Sequence, residues 1–261
     1  MKKIIAFIVL LTLSISCTDG FEEINTNKNQ PTASQPKQML PNVIFNLANS
    51  NVTNSYDFGD ITAQYGGFYE YNQLDIYDWG ADNRFWGLYK WLNDIYDIKK
   101  QAIALNDKNY EAISLVLETY TMSLITDTYG YAPYSEASKG ESGILKPKYD
   151  SQEAIYKQLI ADLKSGRDAI NTTSTVPSGD ILYYGNINRW KKLANSVLLQ
   201  VTLQLSKKYP GANDFAATGF KSALANSAGV IETVADEAWF TINPSQSYPN
   251  PYSAFRAADY R

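Results

Sequence analysis

The sequence predicts an all-α fold with long loops. Three observations carry that expectation: apolar stripes at helical spacing through the body of the chain, capping residues where the stripes begin, and Gly- and Pro-rich stretches where they stop. Phe85, Leu88, Leu92 and Ile95 repeat at i, i+3, i+7 and i+10 and predict a helix over about 82–105. Ile113, Val116, Leu117, Tyr120 and Leu124 mark a second helix that ends near Gly130. Ile155, Leu159 and Leu163 mark a third, and Ser151 stands at its start as the N-cap. The longest stripe runs through Trp190, Leu193, Ala194, Val197, Leu198, Val201 and Leu205 and stops at Tyr209-Pro210-Gly211. Shorter helices are expected around 38–50, 55–66 and 212–226. The stretches 130–150 and 171–188 read as loops, and 229–242 as less helical, with room for a short strand. No internal repeat recurs at a fixed period.

The N-terminus reads as an export signal. Lys2 and Lys3 form a basic start, and residues 4–15 are apolar apart from Thr12 and Ser14. The run is shorter than the ~20 residues that span a bilayer. Cys17, the only cysteine in the chain, follows Ser16 at the expected cleavage point. A single thiol freed as the new N-terminus is what lipid attachment needs, so residues 1–16 are expected to be a lipoprotein signal peptide and Cys17 the lipidated residue. The lipobox match is imperfect, with Ser14 where Leu is usual. A secreted protein with an incidental cysteine is the alternative. One cysteine cannot close an internal disulfide. Residues 17–36 are acidic and polar, with Pro31 and Pro36, and are expected to form a flexible tether before a domain over 37–261. Residues 243–261 read as loop with no closing element, which suggests a partial product.

Composition narrows the chemistry. Removing residues 1–16 takes away Lys2 and Lys3 and no acid, leaving 21 basic against 27 acidic residues, net −6. That balance argues against nucleic acid as a partner. There is no histidine, which removes the usual hydrolase triads, His-ligated zinc and the commonest general base near neutral pH. No Gly-rich phosphate loop occurs. Asp75, Asp78 and Asp82 lack the spacing of a calcium loop and read as solvated acids. No cofactor and no metal site is expected. A glycosidase using two carboxylates stays open, because its acids need only spatial proximity.

The strongest positive feature is residues 56–96, with 13 aromatics in 41 positions. Some belong to the core, as Phe85 does. Tyr71, Asn72, Tyr77, Trp79 and Asp82 differ, because amides and acids lie between rings in a loop joining two helices. A sugar presents apolar C–H faces and a rim of hydroxyls, so its site needs ring platforms beside hydrogen-bonding side chains. These five are the candidate ligand-binding residues, with packing at the helix junction as the alternative for each ring.

Four segments carry a resemblance: 17–27 (CTDGFEEINTN), 126–137 (TDTYGYAPYSEA), 149–156 (YDSQEAIY) and 188–196 (NRWKKLANS). Together they resemble the SusD/RagB-like nutrient-binding lipoproteins of Bacteroidetes. The PYSEA and WKKLANS blocks are the more specific, and both look architectural and not catalytic. The resemblance implies tetratricopeptide-like helix pairs with long loops, here as an incomplete SusD-like domain. It implies an outer-membrane location facing outward and partnership with a TonB-dependent SusC-like transporter. It also implies a non-enzymatic role: capture of a nutrient, most simply an oligosaccharide, with peptide as the alternative ligand.

Overall fold

The computed structural model describes residues 34–67, 73–80, 84–173 and 177–241. One compact unit begins at Gln35. Its described residues form six helices of ten residues or more: α1 (Pro36–Asn54), α2 (Tyr89–Ala104), α3 (Lys108–Tyr129), α4 (Gln152–Ala169), α5 (Ile187–Gln204) and α6 (Phe215–Leu224). Each packs on the next in chain order, and α3 also touches α5. This serial stacking of neighbours is the arrangement expected of helix pairs. Among the described residues no helix is long and apolar enough to cross a membrane.

The helix ends are capped, at Ser151 by the residue the sequence marks and at the start of α3 by Asp107, which it did not. Asp107 accepts the Asn109 and Tyr110 amides at 3.1 Å to start α3. The Ser151 hydroxyl accepts the Ala154 amide at 3.3 Å to start α4. Gly130 takes φ +75° and ends α3. The helix expected over 82–105 opens as a 3-10 turn, Arg84–Leu88, before α2 proper. The stretch 55–66 does not form a separate helix. Asn54 and Ser55 keep helical dihedrals, so α1 runs on through a π turn (Ser55–Gly59) into one α turn (Asp60–Thr62).

The core is a single cluster that takes in the predicted stripes. Leu92, Ile95, Ile113, Val116, Ile155, Leu159, Leu163, Trp190, Leu198 and Val201 are all essentially shut off from water. α3 and α4 approach so closely that a Cβ on Gly166 would lie 2.6 Å from Leu115 Cδ1. Pro41 has no N–H to offer the Lys37 carbonyl one turn back, and the backbone of Gly179 (φ +77°) sits directly against that carbonyl. A Cβ there would overlap it, so the long loop and α1 meet at a point only glycine can occupy.

The strand expected within 229–242 is absent from the described part, 229–241. That stretch holds only a 3-10 turn, Val234–Asp236. Side chains of α5 supply what a strand partner would. Asn195 donates to the Gly229 carbonyl at 2.6 Å, Ser196 Oγ accepts the Ile231 amide at 2.9 Å, and Lys192 pairs with Asp236 at 2.8 Å. The two short strands lie instead inside the 130–150 loop. β1 (Ala132–Pro133) pairs antiparallel with β2 (Tyr149–Asp150) in the register Ala132 to Asp150 and Pro133 to Tyr149.

Asp180 anchors the second long loop. Its carboxylate accepts the amides of Leu182, Tyr183 and Gly185, and the indole N–H of Trp190 at 2.8 Å. Trp190 is fully buried. Asp180→Ala would leave these donors without an acceptor in the interior, and is expected to cost about 3 kcal/mol in urea unfolding. Trp190→Phe, which removes one donor and keeps most of the volume, should cost clearly less.

Candidate functional site

Two groups of rings project from the segment that joins α1 to α2 and from the hairpin that follows α3. In the first, Trp79 meets Phe58 edge-to-face at 5.2 Å and Tyr77 at 5.8 Å. Tyr77 and Trp79 are exposed, while Phe58 is half-buried beneath them. The Tyr77 hydroxyl donates to the Thr62 carbonyl at 3.0 Å and ties the loop to the end of the α1 extension. Tyr77 has φ +57°, and Gly80 has φ +58°. The left-handed position at Tyr77 lies just before Trp79, where the chain turns between the two rings. The Arg84 guanidinium lies 5.1 Å from the Phe58 ring and donates to the Asp57 carbonyl at 3.1 Å.

The second group centres on Trp86, in the 3-10 turn just before α2. It stands 5.0 Å from Tyr89 and 5.4 Å from Tyr129, and nearly parallel to Tyr149 at 6.1 Å and 22°. Tyr149 is more than half exposed. Tyr89 is fixed from below, donating its hydroxyl to the Pro133 carbonyl at 2.6 Å. Burial, with Tyr149 and Asp150 nearby, raises its pKa well above the ordinary phenol value, so it remains a donor. Residues of either exposed group can present flat apolar faces with polar rims.

The hairpin owes its shape to Asp150. One carboxylate oxygen accepts the Tyr134 and Ser135 amides at 3.2 and 2.7 Å, and the other accepts the Ser135 hydroxyl at 3.0 Å. Burial works against the charge, but these hydrogen bonds and Lys148 outweigh it and hold the Asp150 carboxyl below its usual range. Glu136 accepts the Lys148 amide at 3.0 Å across the same turn. The PYSEA block is therefore a brace for β2, and so for Tyr149.

Of the sequence-predicted site residues, Tyr77 and Trp79 come together as neighbouring exposed rings. Tyr71, Asn72 and Asp82, like Cys17, lie outside the described residues. Sequence reasoning did not single out Phe58, Arg84 or the Trp86–Tyr149 pair for the site. Trp86 and Tyr149 are 63 positions apart, so no local pattern could join them. Among the described residues, no three His, Cys, Asp or Glu side chains converge as a metal site would require.

Residues 28–261 match the family model SusD-like, described as starch-binding and associating with the outer membrane. The chain belongs to the SusD-like family. This SusD-like chain is also similar to a SusD homologue from Bacteroides fragilis, with TM-score 0.70, 25% identity, and 84% of this chain against 46% of that one. A chitin-binding protein matches with TM-score 0.64 and 26% identity over 77% of this chain and 45% of that one. An outer membrane protein from Bacteroides vulgatus shares the fold at TM-score 0.69 and 22% identity, over 84% and 46%. The SusD-like chain thus spans less than half the length of these solved relatives. No curated protein matches it.

Because the Asp150 carboxyl is held below its usual range, its contribution to stability is complete above about pH 5 and disappears as pH falls through the folded value. Asp150→Asn is expected to cost ~1 kcal/mol at pH 7. The gap between variant and wild type, measured by urea unfolding, should close below about pH 4.

Proposed function

We propose that this SusD-like chain is a non-catalytic surface lipoprotein of the outer membrane. In this reading it captures an oligosaccharide on its aromatic face and passes it to a TonB-dependent SusC-like transporter. The observation that carries the reading is the pair of exposed ring groups, Tyr77–Trp79 and Trp86–Tyr149, each held on braced backbone. Pyranose rings stack on such faces through their axial C–H groups, while flanking side chains meet the equatorial hydroxyls. Tyr71, Asn72 and Asp82 belong to the same loop and are proposed as those flanking groups. Cys17 is the proposed lipid attachment point, with residues 17–36 as tether.

Binding, and not hydrolysis, is supported by the fate of the buried carboxylates. Among the described residues these are Glu118 and Asp180. Glu118 pairs with Lys99 and accepts the Tyr134 hydroxyl at 3.0 Å. Asp180 accepts four N–H groups, as described above. Both serve structural partners, so neither is free to act as the acid of a glycosidase pair.

Calorimetric titration with maltoheptaose and chitohexaose tests the reading. The variants Trp79→Ala and Tyr149→Ala are each expected to weaken binding of the preferred glycan about tenfold, roughly 1.4 kcal/mol. Their thermal midpoints should hold near wild type. Wild-type affinity in both variants would remove the aromatic face from the site. Separately, Cys17→Ala should move the chain out of the detergent-extracted membrane fraction, and retention there would refute the lipid anchor.

A further inference from the structure

Between α1, α3 and α5 lies a groove of about 540 Å³ whose lining carries no charged side chain. Leu47, Val116, Leu117 and Val197 form its buried floor. The rim adds three aromatic residues, Tyr120, Trp239 and Phe240, and the Asn51 amide. The last described stretch of the chain runs into this rim. Asp236 is held there by Lys192 at 2.8 Å and by the Tyr183 hydroxyl, which donates to its carbonyl at 3.1 Å. Four residues on, Phe240 meets Phe45 of α1 edge-to-face at 6.1 Å. Trp239, just before it, is 72% exposed, a large ring left in water beside an apolar groove. Contiguous apolar surface of this kind marks a place where something packs.

We infer that the occupant is this chain's own segment 242–261, docked through Tyr248-Pro249-Asn250-Pro251-Tyr252. Three features select it. The first is charge: residues 241–255 include no Asp, Glu, Lys or Arg, in a chain where 19% of residues are charged, so the segment matches the uncharged lining. The second is backbone. Prolines at 249 and 251 favour the extended polyproline conformation, which makes no hydrogen bonds of its own, arrives with little entropy to lose and suits aromatic-lined grooves. Tyr120, Trp239 and Asn51 bring donors for its free carbonyls, and the rings bring faces for Tyr248 and Tyr252. The third is the tether. Tyr248 follows Phe240 by eight residues, at most about 28 Å of extended chain. A segment leashed so closely stands at an effective concentration on the order of millimolar, and outcompetes a free partner or a second copy.

A nitroxide on Ser253→Cys tests the placement by NMR, in a whole chain that also carries Cys17→Ser so that the label is unique. The amide signals of Asn51, Val52 and Tyr120 should be the most strongly broadened outside the segment itself. Val52 is exposed on the groove wall, so Val52→Lys sets an ammonium in the groove and leaves the floor intact. It should relieve that broadening while the thermal midpoint stays near wild type. It should also speed chymotryptic cleavage after Tyr248 and Tyr252 about tenfold, because cleavage follows the undocked population. Spin-labelled chain mixed with isotope-labelled chain should leave the groove signals sharp. Broadening in the mixture would assign the groove to a second copy and overturn the proposal. So would strongest broadening away from the groove within one chain, or cleavage at an unchanged rate in Val52→Lys.

Discussion

α3 has water on almost none of its length. A helix in that position must satisfy its polar side chains without solvent, because each unpaired buried group costs about as much as a whole hydrogen bond returns. Ser114, Thr119 and Thr121 do so by donating to carbonyls four residues back, at 2.7–2.8 Å. Thr126 donates to the Gly130 carbonyl beyond the helix end at 2.6 Å. Glu118 cannot solve the problem this way, and takes Lys99 from α2 and Tyr134 from the hairpin. Burial still raises its pKa despite these partners. The packing of α2, α4 and α5 around α3, and the position of the hairpin, all follow from how this helix is enclosed.

The enclosing elements are held by polar clamps that use the blocks carrying the family resemblance. Asp150 braces the turn of the PYSEA block, and Asp180 grips the indole of Trp190. Asn195 both donates to Gly229 and accepts from the buried Arg167 at 3.0 Å, which itself pairs with Asp168. Tyr156 donates to Asp127 at 2.5 Å and links α4 to the end of α3. The Asp150, Asp180 and Asn195–Gly229 clamps stand where a long loop meets a helix, and the Tyr156–Asp127 and Arg167–Asn195 bonds join helix to helix. The position of the exposed rings is set by the helices beneath them.

The hairpin has two sides with different chemistry. Successive strand residues point to opposite faces, so Tyr149 joins the aromatic group while Asp150 faces the turn of the PYSEA block. One two-residue ladder therefore both presents a ring and closes the turn that supports it. This economy explains why a short pairing inside a loop is so heavily hydrogen-bonded.

Local rules were enough to read the helices from the sequence, because a helix is dictated by contacts three and four residues apart and by a cap at its edge. Phe85 to Ile95, Ile113 to Leu124, Ser151 with Ile155 to Leu163, and Trp190 to Leu205 all announce themselves in this way. The same rules marked Tyr77 and Trp79 as rings in an exposed loop. They failed at 229–241, where an apolar, β-branched stretch looked like a strand but is pinned by side chains of α5. They also failed at 55–66, where no break interrupts α1. Only the tertiary structure decided that Trp86 and Tyr149 stack, that Arg84 lies against Phe58, and that Lys99 of α2 and Tyr134 of the hairpin meet on Glu118 of α3. Those are meetings between residues far apart in the chain, and no sequence period encodes them. The sequence by itself determined where helices form and which loop carries the rings; the enclosure of α3 decided which side chains meet.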